Sequence, residues 1–231
     1  MLHKYIAHNS LLPFYRAWQL DPEGYHYNLS FSYQLENSRH ITCLTETLQK
    51  LIQLKGYLRQ TFNVEKEQLI ATIHDHLAPQ INFFTISTEE LAATEQRLAQ
   101  EKHDINNRSS IKLNIIRFKN SPGCSVLFNI HHILLDGYGL DFFIMDLNRL
   151  LAGEKVEKES AIDYINKIKN EMPLQQWTEQ PALVEYVNKI NLIASDMESF
   201  STSESDTILS YRDFLPNLIL RNLASLSLQQ N

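Results

Sequence analysis

Residues 125–137 read Ser-Val-Leu-Phe-Asn-Ile-His-His-Ile-Leu-Leu-Asp-Gly. The first seven are rich in β-branched and aromatic side chains, a composition that favours a strand. After Gly137, apolar residues recur at helical spacing as far as Gly153, a residue suited to end a helix. The segment therefore predicts a strand, a tight turn that carries histidine and aspartate, and an amphipathic helix.

The histidine pair offers acid–base chemistry at the end of this strand. Neighbouring side chains of a strand point to opposite faces, so only one of His131 and His132 can face a given cavity. A neutral imidazole, with a pKa near 6.5, can act as a general base at neutral pH. Asp136 follows as the strand turns, where a carboxylate is stabilised by a cation. Residue types alone leave a second interpretation open, a packed structural histidine pair.

Patterns on the N-terminal side of this segment extend the prediction to an α/β fold. The turn signal Asn120–Gly123 joins Ile111–Phe118 to the strand above as a hairpin. Residues 25–35 alternate as a half-buried strand does, and residues 41–52 carry a helical apolar stripe. Further strands are predicted at Gln68–His74 and Ile81–Ile86, and a capping box at Ser87–Glu90 begins another helix. We expect a mixed sheet flanked by helices.

Composition excludes several classes of protein. The 231 residues are 43% hydrophobic and 21% charged, with a net charge of −6, which argues against a nucleic-acid partner. The apolar runs are too short for a membrane helix and the first residues do not resemble a signal peptide, so we expect a cytoplasmic protein. Cys43 and Cys124 are expected to be free thiols.

Metal and nucleotide sites are not indicated. His74-Asp75-His76 places two histidines on one face of a strand, but two ligands without a third make a weak metal site. The sequence contains no glycine-rich phosphate loop and no nucleophile elbow.

Charge divides the chain into residues 1–153 and 154–231. The second part holds seven basic and twelve acidic residues and is helical in pattern. We expect residues 154–231 to form an acidic helical tail or the start of a linker. Residues 208–228 have apolar spacing on both sides of Pro216, so we expect this part of the tail to dock.

The pattern HHxxxDG, between an apolar strand and an amphipathic helix, resembles the signature of chloramphenicol acetyltransferase-like acyltransferases, and in particular of the condensation domains of nonribosomal peptide synthetases. Four other segments are similar to that family in order and spacing. They are Ser10–Leu20, Tyr27-Asn28-Leu29, Leu58–Phe62 and Asp104-Ile105. The 94 residues after Gly137 also fit the condensation-type order.

The resemblance implies a set of site residues. It assigns catalytic importance to His132, with His131 and Asp136 supporting the geometry and Gly137 lining the entrance. It leaves open whether His132 deprotonates the acceptor or positions it. Asp136 is expected to pair with an arginine, for which Arg59 is our candidate. The family's leading arginine is absent here, because Leu54 and Lys55 occupy the first two positions of its RHxxLRxxF segment.

The resemblance also implies a reaction, acyl transfer from a carrier-protein-bound phosphopantetheine thioester to an amine or a hydroxyl, with no bound cofactor and no metal. Condensation domains have two lobes, and this sequence resembles the N-terminal one. The partners implied are a carrier protein and a second lobe or another copy of the chain. The alternative is a non-catalytic half-domain for carrier-protein docking or other protein–protein interaction. A natural short protein and an excised lobe both agree with the sequence.

Overall fold

The strand, turn and helix predicted around the histidine pair are present in the computed structural model, which describes residues 2–170. Seven strands occur in this part of the chain: β1 (Leu2–Ile6), β2 (Asn28–Leu35), β3 (Gln60–Glu65), β4 (Gln68–His74), β5 (Gln80–Ile86), β6 (Ile111–Phe118) and β7 (Cys124–His131). The α-helices of the same part are α1 (Leu12–Leu20), α2 (Ile41–Leu54), α3 (Leu91–Ala99), α4 (Gly137–Leu151) and α5 (Ala161–Asn170). The predicted docking of residues 208–228 lies outside the described residues.

The strands form two sheets. The larger sheet has the order β2-β7-β6-β5, with β5 parallel to β6 and the other pairs antiparallel. The smaller sheet, in the order β1-β4-β3, is antiparallel throughout. The mixed sheet flanked by helices is thus confirmed, whereas the second sheet was not predicted from the sequence.

Helices cover both faces of the larger sheet. On one face, Phe128 of the central strand β7 belongs to the main core with α2 and α4. Its neighbour Leu127 points to the other face and packs with Leu98 of α3 and Ile116 of β6. The stripe predicted for α2 is confirmed, since its five members are the buried residues of that helix: Ile41, Leu44, Leu48, Leu51 and Ile52.

Local signals set the ends of several helices as predicted. Ser87 and Glu90 form the capping box before α3, and the backbone N–H of Ser87 donates to the Glu90 carboxylate at 2.7 Å. Gly153 has a φ of +77° just after α4, a left-handed conformation in which glycine carries no steric penalty. These signals fix where the helical segment of α3 begins and where α4 ends.

Candidate active site

The histidine pair lies where β7 turns into α4. Backbone pairing closes this turn, since the N–H of Leu134 donates to the carbonyl of His131 at 2.9 Å. Asp136 then caps α4, and its Oδ1 accepts a hydrogen bond from the N–H of Gly139 at 2.7 Å. A helix begins with backbone N–H groups that lack intrahelical partners, which explains why a carboxylate is stable here.

His131 is buried among protein groups, with 3% of its surface exposed. Its Nδ1 accepts a hydrogen bond from the N–H of Ile133 at 3.2 Å, so the neutral ring carries its proton on Nε2. The ring meets His103 edge to face, with 5.8 Å between the ring centres. His131 therefore shapes the turn and has no room to meet a substrate.

A second buried histidine, His103, packs against the ring of His131. His103 is 2% exposed, and its Nε2 lies 3.0 Å from Oδ1 of Asn129 on β7. Asn129 in turn donates to the carbonyl of Leu98, at the end of α3, at 2.8 Å. Desolvation lowers the pKa of His103 to about 4 and that of His131 to about 3. Both rings are therefore neutral at neutral pH.

His132 has a different environment from its neighbour. It is half-buried and lies in the turn directly after the last residue of β7, which is His131. Its ring stacks on Phe14 of α1, with 4.8 Å between centres and planes 11° apart. Its backbone N–H donates to the carbonyl of Tyr27 at 2.7 Å. Nδ1 is enclosed and has no hydrogen-bond partner. A substrate atom can therefore approach only the remaining ring nitrogen, Nε2.

Gly137 stands at an open side of the turn. A Cβ atom placed on this residue would meet no other atom within 4 Å. Gly139 is different, because a Cβ there would lie 3.1 Å from Oδ1 of Asp136 and would crowd the helix cap. The close approach of the Asp136 carboxylate therefore explains why a glycine is present at position 139. The space beside Gly137 is free.

The predicted ion pair between Arg59 and Asp136 is wrong. Arg59 is buried, and its guanidinium donates to carbonyl groups at the end of α2, those of Ile52 and Gln53, the latter at 2.9 Å. It also donates to the carbonyl of His74 at 2.8 Å. The last carbonyls of a helix lack intrahelical partners. Those of α2 lie close to Arg59 in the chain, so they accept hydrogen bonds from its guanidinium. Asp136 is exposed and is stabilised by its helix cap.

Lys55, one of the two residues that depart from the RHxxLRxxF pattern, also has a structural partner. Its Nζ lies 3.1 Å from Oδ2 of Asp146, and the two side chains are only 15% and 10% exposed. This ion pair joins the end of α2 to the middle of α4. Of the cations near the end of α2, Lys55 thus joins two helices and Arg59 binds carbonyls of α2 and β4, and neither is paired with Asp136.

A cavity of about 630 Å³ opens at the end of the sheet where β5 and β6 begin. Trp18, Gln80, His103, Arg108 and Lys112 are among its lining residues, and His132 is not. Lys112 is paired with Glu101 at 3.1 Å inside it. The cavity therefore lies on the side of the buried His103, separate from the exposed part of His132.

Sequence reasoning did not predict the contacts that four residues make around the motif: Phe14, Tyr27, His103 and Asn129. The Tyr-Asn pattern and the opening helix had marked the segments of Tyr27 and Phe14 through resemblance. No pattern pointed to His103 or Asn129, because an asparagine inside an apolar strand and a histidine in a loop carry no signal of their contact.

No metal centre or membrane span is found among residues 2–170. In this range no three His, Cys, Asp or Glu side chains are grouped so that they could hold an ion. The Nε2 atom of His74 instead lies 2.8 Å from the hydroxyl of Thr61. No helix of the described part is long and apolar enough to cross a bilayer.

The condensation-domain family model matches residues 14–182. Surfactin synthase subunit 1 of Bacillus subtilis is 25% identical over 145 residues, which are 62% of this chain and 4% of that protein. Tyrocidine synthase 2 of Brevibacillus parabrevis is 24% identical over 156 residues, which are 65% of this chain and 4% of that protein. The chain thus spans only a few per cent of the length of these relatives.

Solved structures of condensation domains have the same fold. The starter condensation domain of the rhizomide synthetase RzmA matches with a TM-score of 0.61 at 15% identity, covering 80% of this chain and 48% of that one. A four-domain nonribosomal peptide synthetase, holo-AB3403 bound to AMP and glycine, matches with a TM-score of 0.63 at 16% identity, covering 80% of this chain and 14% of that one. These likenesses confirm the predicted chloramphenicol acetyltransferase-like fold.

Proposed function

This chain belongs to the condensation-domain family, and from that membership we propose that it supplies the N-terminal lobe of an acyltransfer site. The reaction is amide or ester formation between an acyl thioester on a carrier protein and an amine or hydroxyl acceptor. The thioester sulfur belongs to phosphopantetheine, which arrives with the substrate. We assign the lobe to residues 1–153 and leave residues 154–231 as its tail or the start of a linker.

One observation carries this proposal. The motif HHxxxDG lies at a strand-to-helix turn in which His131 is buried, His132 is half-buried, and a Cβ added at Gly137 would meet no atom within 4 Å. A reactive group needs both a fixed position and access for the substrate. Of the two histidines of the motif, His132 combines these two properties, and so we assign it to the reacting atoms.

The chemistry requires one bond to form and one to break. The lone pair of the acceptor amine attacks the thioester carbonyl carbon, a C–N bond forms, and the C–S bond then breaks. The proton lost by the amine is matched by the proton gained by the leaving thiol. An α-amine has a pKa near 8, so a substantial fraction of it is unprotonated at neutral pH. Holding the two reactants together therefore contributes more than removing a proton does.

Transfer can be tested directly. The chain is mixed with an acyl carrier protein that holds an aminoacyl thioester and with a free amino acid amide, and the amide product is followed by mass spectrometry. Loss of His132 in His132→Ala should lower the rate on the order of a hundredfold, because the acceptor is then no longer held in position. His76→Ala, at an exposed histidine of the same chain, is the matched control. Equal rates in the two variants would reject the assignment of His132.

A second candidate function is docking without catalysis. Tyr138 and Phe142, one turn apart on α4, are 76% and 58% exposed, next to the motif. These side chains fit a surface that meets a carrier protein or a second lobe. Binding of the loaded carrier protein, measured by calorimetry, should then survive His132→Ala and weaken in Tyr138→Ser/Phe142→Ser. Binding without any product in the wild-type chain would favour this function over transfer.

A further inference from the structure

Six charged side chains line the cavity at the start of β5 and β6, and their charges balance. The acids are Glu23, Glu101 and Asp104, and the bases are Lys102, Arg108 and Lys112. Lys112 is paired with Glu101 at 3.1 Å, and Lys102 is paired with Glu23. Within residues 2–170, one acid and one base of this lining thus remain without an ion-pair partner, Asp104 and Arg108.

Asp104 and Arg108 lie on one turn of the loop between α3 and β6. The backbone N–H of Arg108 donates to the carbonyl of Asp104 at 3.0 Å. The Asp104 carboxylate accepts three hydrogen bonds, all from uncharged groups of Asn107, at 3.1 to 3.2 Å. A carboxylate has about four acceptor sites, so its charge is held in place and one site is left for a ligand. The exposed guanidinium of Arg108 makes no hydrogen bond within the described part of the chain, so its planar fork of donors is available.

Trp18 forms an apolar wall of the same cavity. Its indole N–H donates to the carbonyl of His103 at 2.8 Å, and the ring of Tyr15 packs beside it with 5.7 Å between ring centres. The half-buried indole is thus fixed at its polar edge and supported by a neighbouring ring. An indole held in this way offers a flat apolar surface on which a second ring packs favourably.

We propose that this cavity binds a free α-amino acid with a flat apolar side chain. Its α-carboxylate binds the guanidinium of Arg108, its α-ammonium binds the carboxylate of Asp104, and its side chain packs on Trp18. A zwitterion provides a partner for both free charges, whereas an anion or a cation alone leaves one of them unpaired. The volume of about 630 Å³ is in the range of small-molecule sites. His132 does not line the cavity, so this site does not rest on the proposed acyltransfer function.

NMR of the ¹⁵N-labelled full chain tests the charge requirement with three probes that share a phenyl group. L-Phenylalanine is a zwitterion, phenylacetate is an anion and phenethylamine is a cation. The indole N–H signal of Trp18, identified by its loss in Trp18→Phe, reports binding in the cavity. We expect L-phenylalanine to bind at least about tenfold more tightly than either other probe, because each of those lacks one charge-assisted hydrogen bond. Equal affinity for a singly charged probe, or no saturable shift with any probe, would overturn the proposal.

Variants assign the two charges to their residues. Arg108→Gln should weaken binding of L-phenylalanine about tenfold and leave that of phenethylamine unchanged. Asp104→Asn, which keeps an acceptor for Asn107, should weaken L-phenylalanine similarly and leave phenylacetate unchanged. Arg39→Gln, at an exposed arginine outside the cavity lining, is the matched control, and its affinity should equal that of the wild type. Wild-type affinity for L-phenylalanine in Arg108→Gln or Asp104→Asn would refute the assignment. His132→Ala should bind L-phenylalanine as the wild type does, and a loss of binding there would place the ligand at the reaction site instead.

Discussion

Acid should unfold this chain through its two buried histidines. In the unfolded chain both rings take up a proton near pH 6.5. In the folded chain burial lowers the pKa of His103 to about 4 and that of His131 to about 3. Between these values the unfolded state binds more protons than the folded state. The contribution of the two histidines to the free energy of unfolding is therefore fully present above about pH 6.5, and it is lost as the pH falls toward 4.

The size of the effect follows from the number of protons. Each proton taken up on unfolding lowers the free energy of unfolding by about 1.4 kcal/mol per pH unit. Two buried rings together give about 2.7 kcal/mol per pH unit in the middle of this window. A domain of this kind is stable by about 5–15 kcal/mol, so a loss over one to two pH units is a large part of the total.

Urea denaturation at a series of pH values, followed by circular dichroism, measures this slope. His103→Phe keeps an aromatic ring against His131 and removes one titrating group, so we expect the slope between pH 6 and 4 to fall by about 1.4 kcal/mol per pH unit. This variant also loses the hydrogen bond between His103 and Asn129, which lowers the free energy of unfolding equally at every pH and leaves the slope unaffected. His76→Phe, at an exposed position, is the control. Equal slopes in the two variants, or an NMR midpoint for His103 near 6.5, would refute the reasoning.

Urea denaturation at pH 7 tests three further contacts, those of Asp136, Arg59 and Lys55. Asp136→Ala should lower the free energy of unfolding by about 1 kcal/mol through loss of the helix cap, while Asp136→Asn, which keeps a cap oxygen, should be nearly neutral; equal losses would contradict the cap. Arg59→Met should cost about 3 kcal/mol or more because buried carbonyls lose a charged donor, and a loss below 1 kcal/mol would argue against this role. Lys55→Met should cost about 3 kcal/mol by leaving Asp146 buried without this partner, and Lys55→Met/Asp146→Leu should recover most of that loss, whereas additive losses would show no coupling.

The larger sheet was predictable because its signals are local. The turn at Asn120–Gly123 lies between two apolar strands, and the capping box at Ser87–Glu90 marks the start of α3. Such patterns depend on residues that are close in sequence. The smaller sheet gave a weaker signal. In β1 only Tyr5 is buried, and β3 is buried at its first three residues and exposed at its last three, so neither strand shows full alternation.

The site was only partly predictable for a related reason. Alternation predicted that the two histidines differ, and the resemblance selected His132; in the structure His131 is buried and His132 is half-buried in the turn after β7. The predicted partner of Asp136 was wrong because the argument considered only opposite charge. It did not consider that the carbonyls at the end of α2 also accept hydrogen bonds, and Arg59 donates to these carbonyls. The stacking of Phe14 on His132 depends on how α1 packs, and no periodicity within either segment describes that contact.

The pairing order β2-β7-β6-β5 has a consequence for the path of folding. β7 meets β6 through a short turn, but its other neighbour, β2, comes from much earlier in the chain. Closing a long loop costs more chain entropy than closing a hairpin, so we expect β6 and β7 to join early and β2 to arrive late. His132 receives its backbone anchor from Tyr27, just before β2. A chain released from the ribosome would thus complete its hairpin first, and a trapped intermediate would have a native-like central strand with an unformed reaction centre.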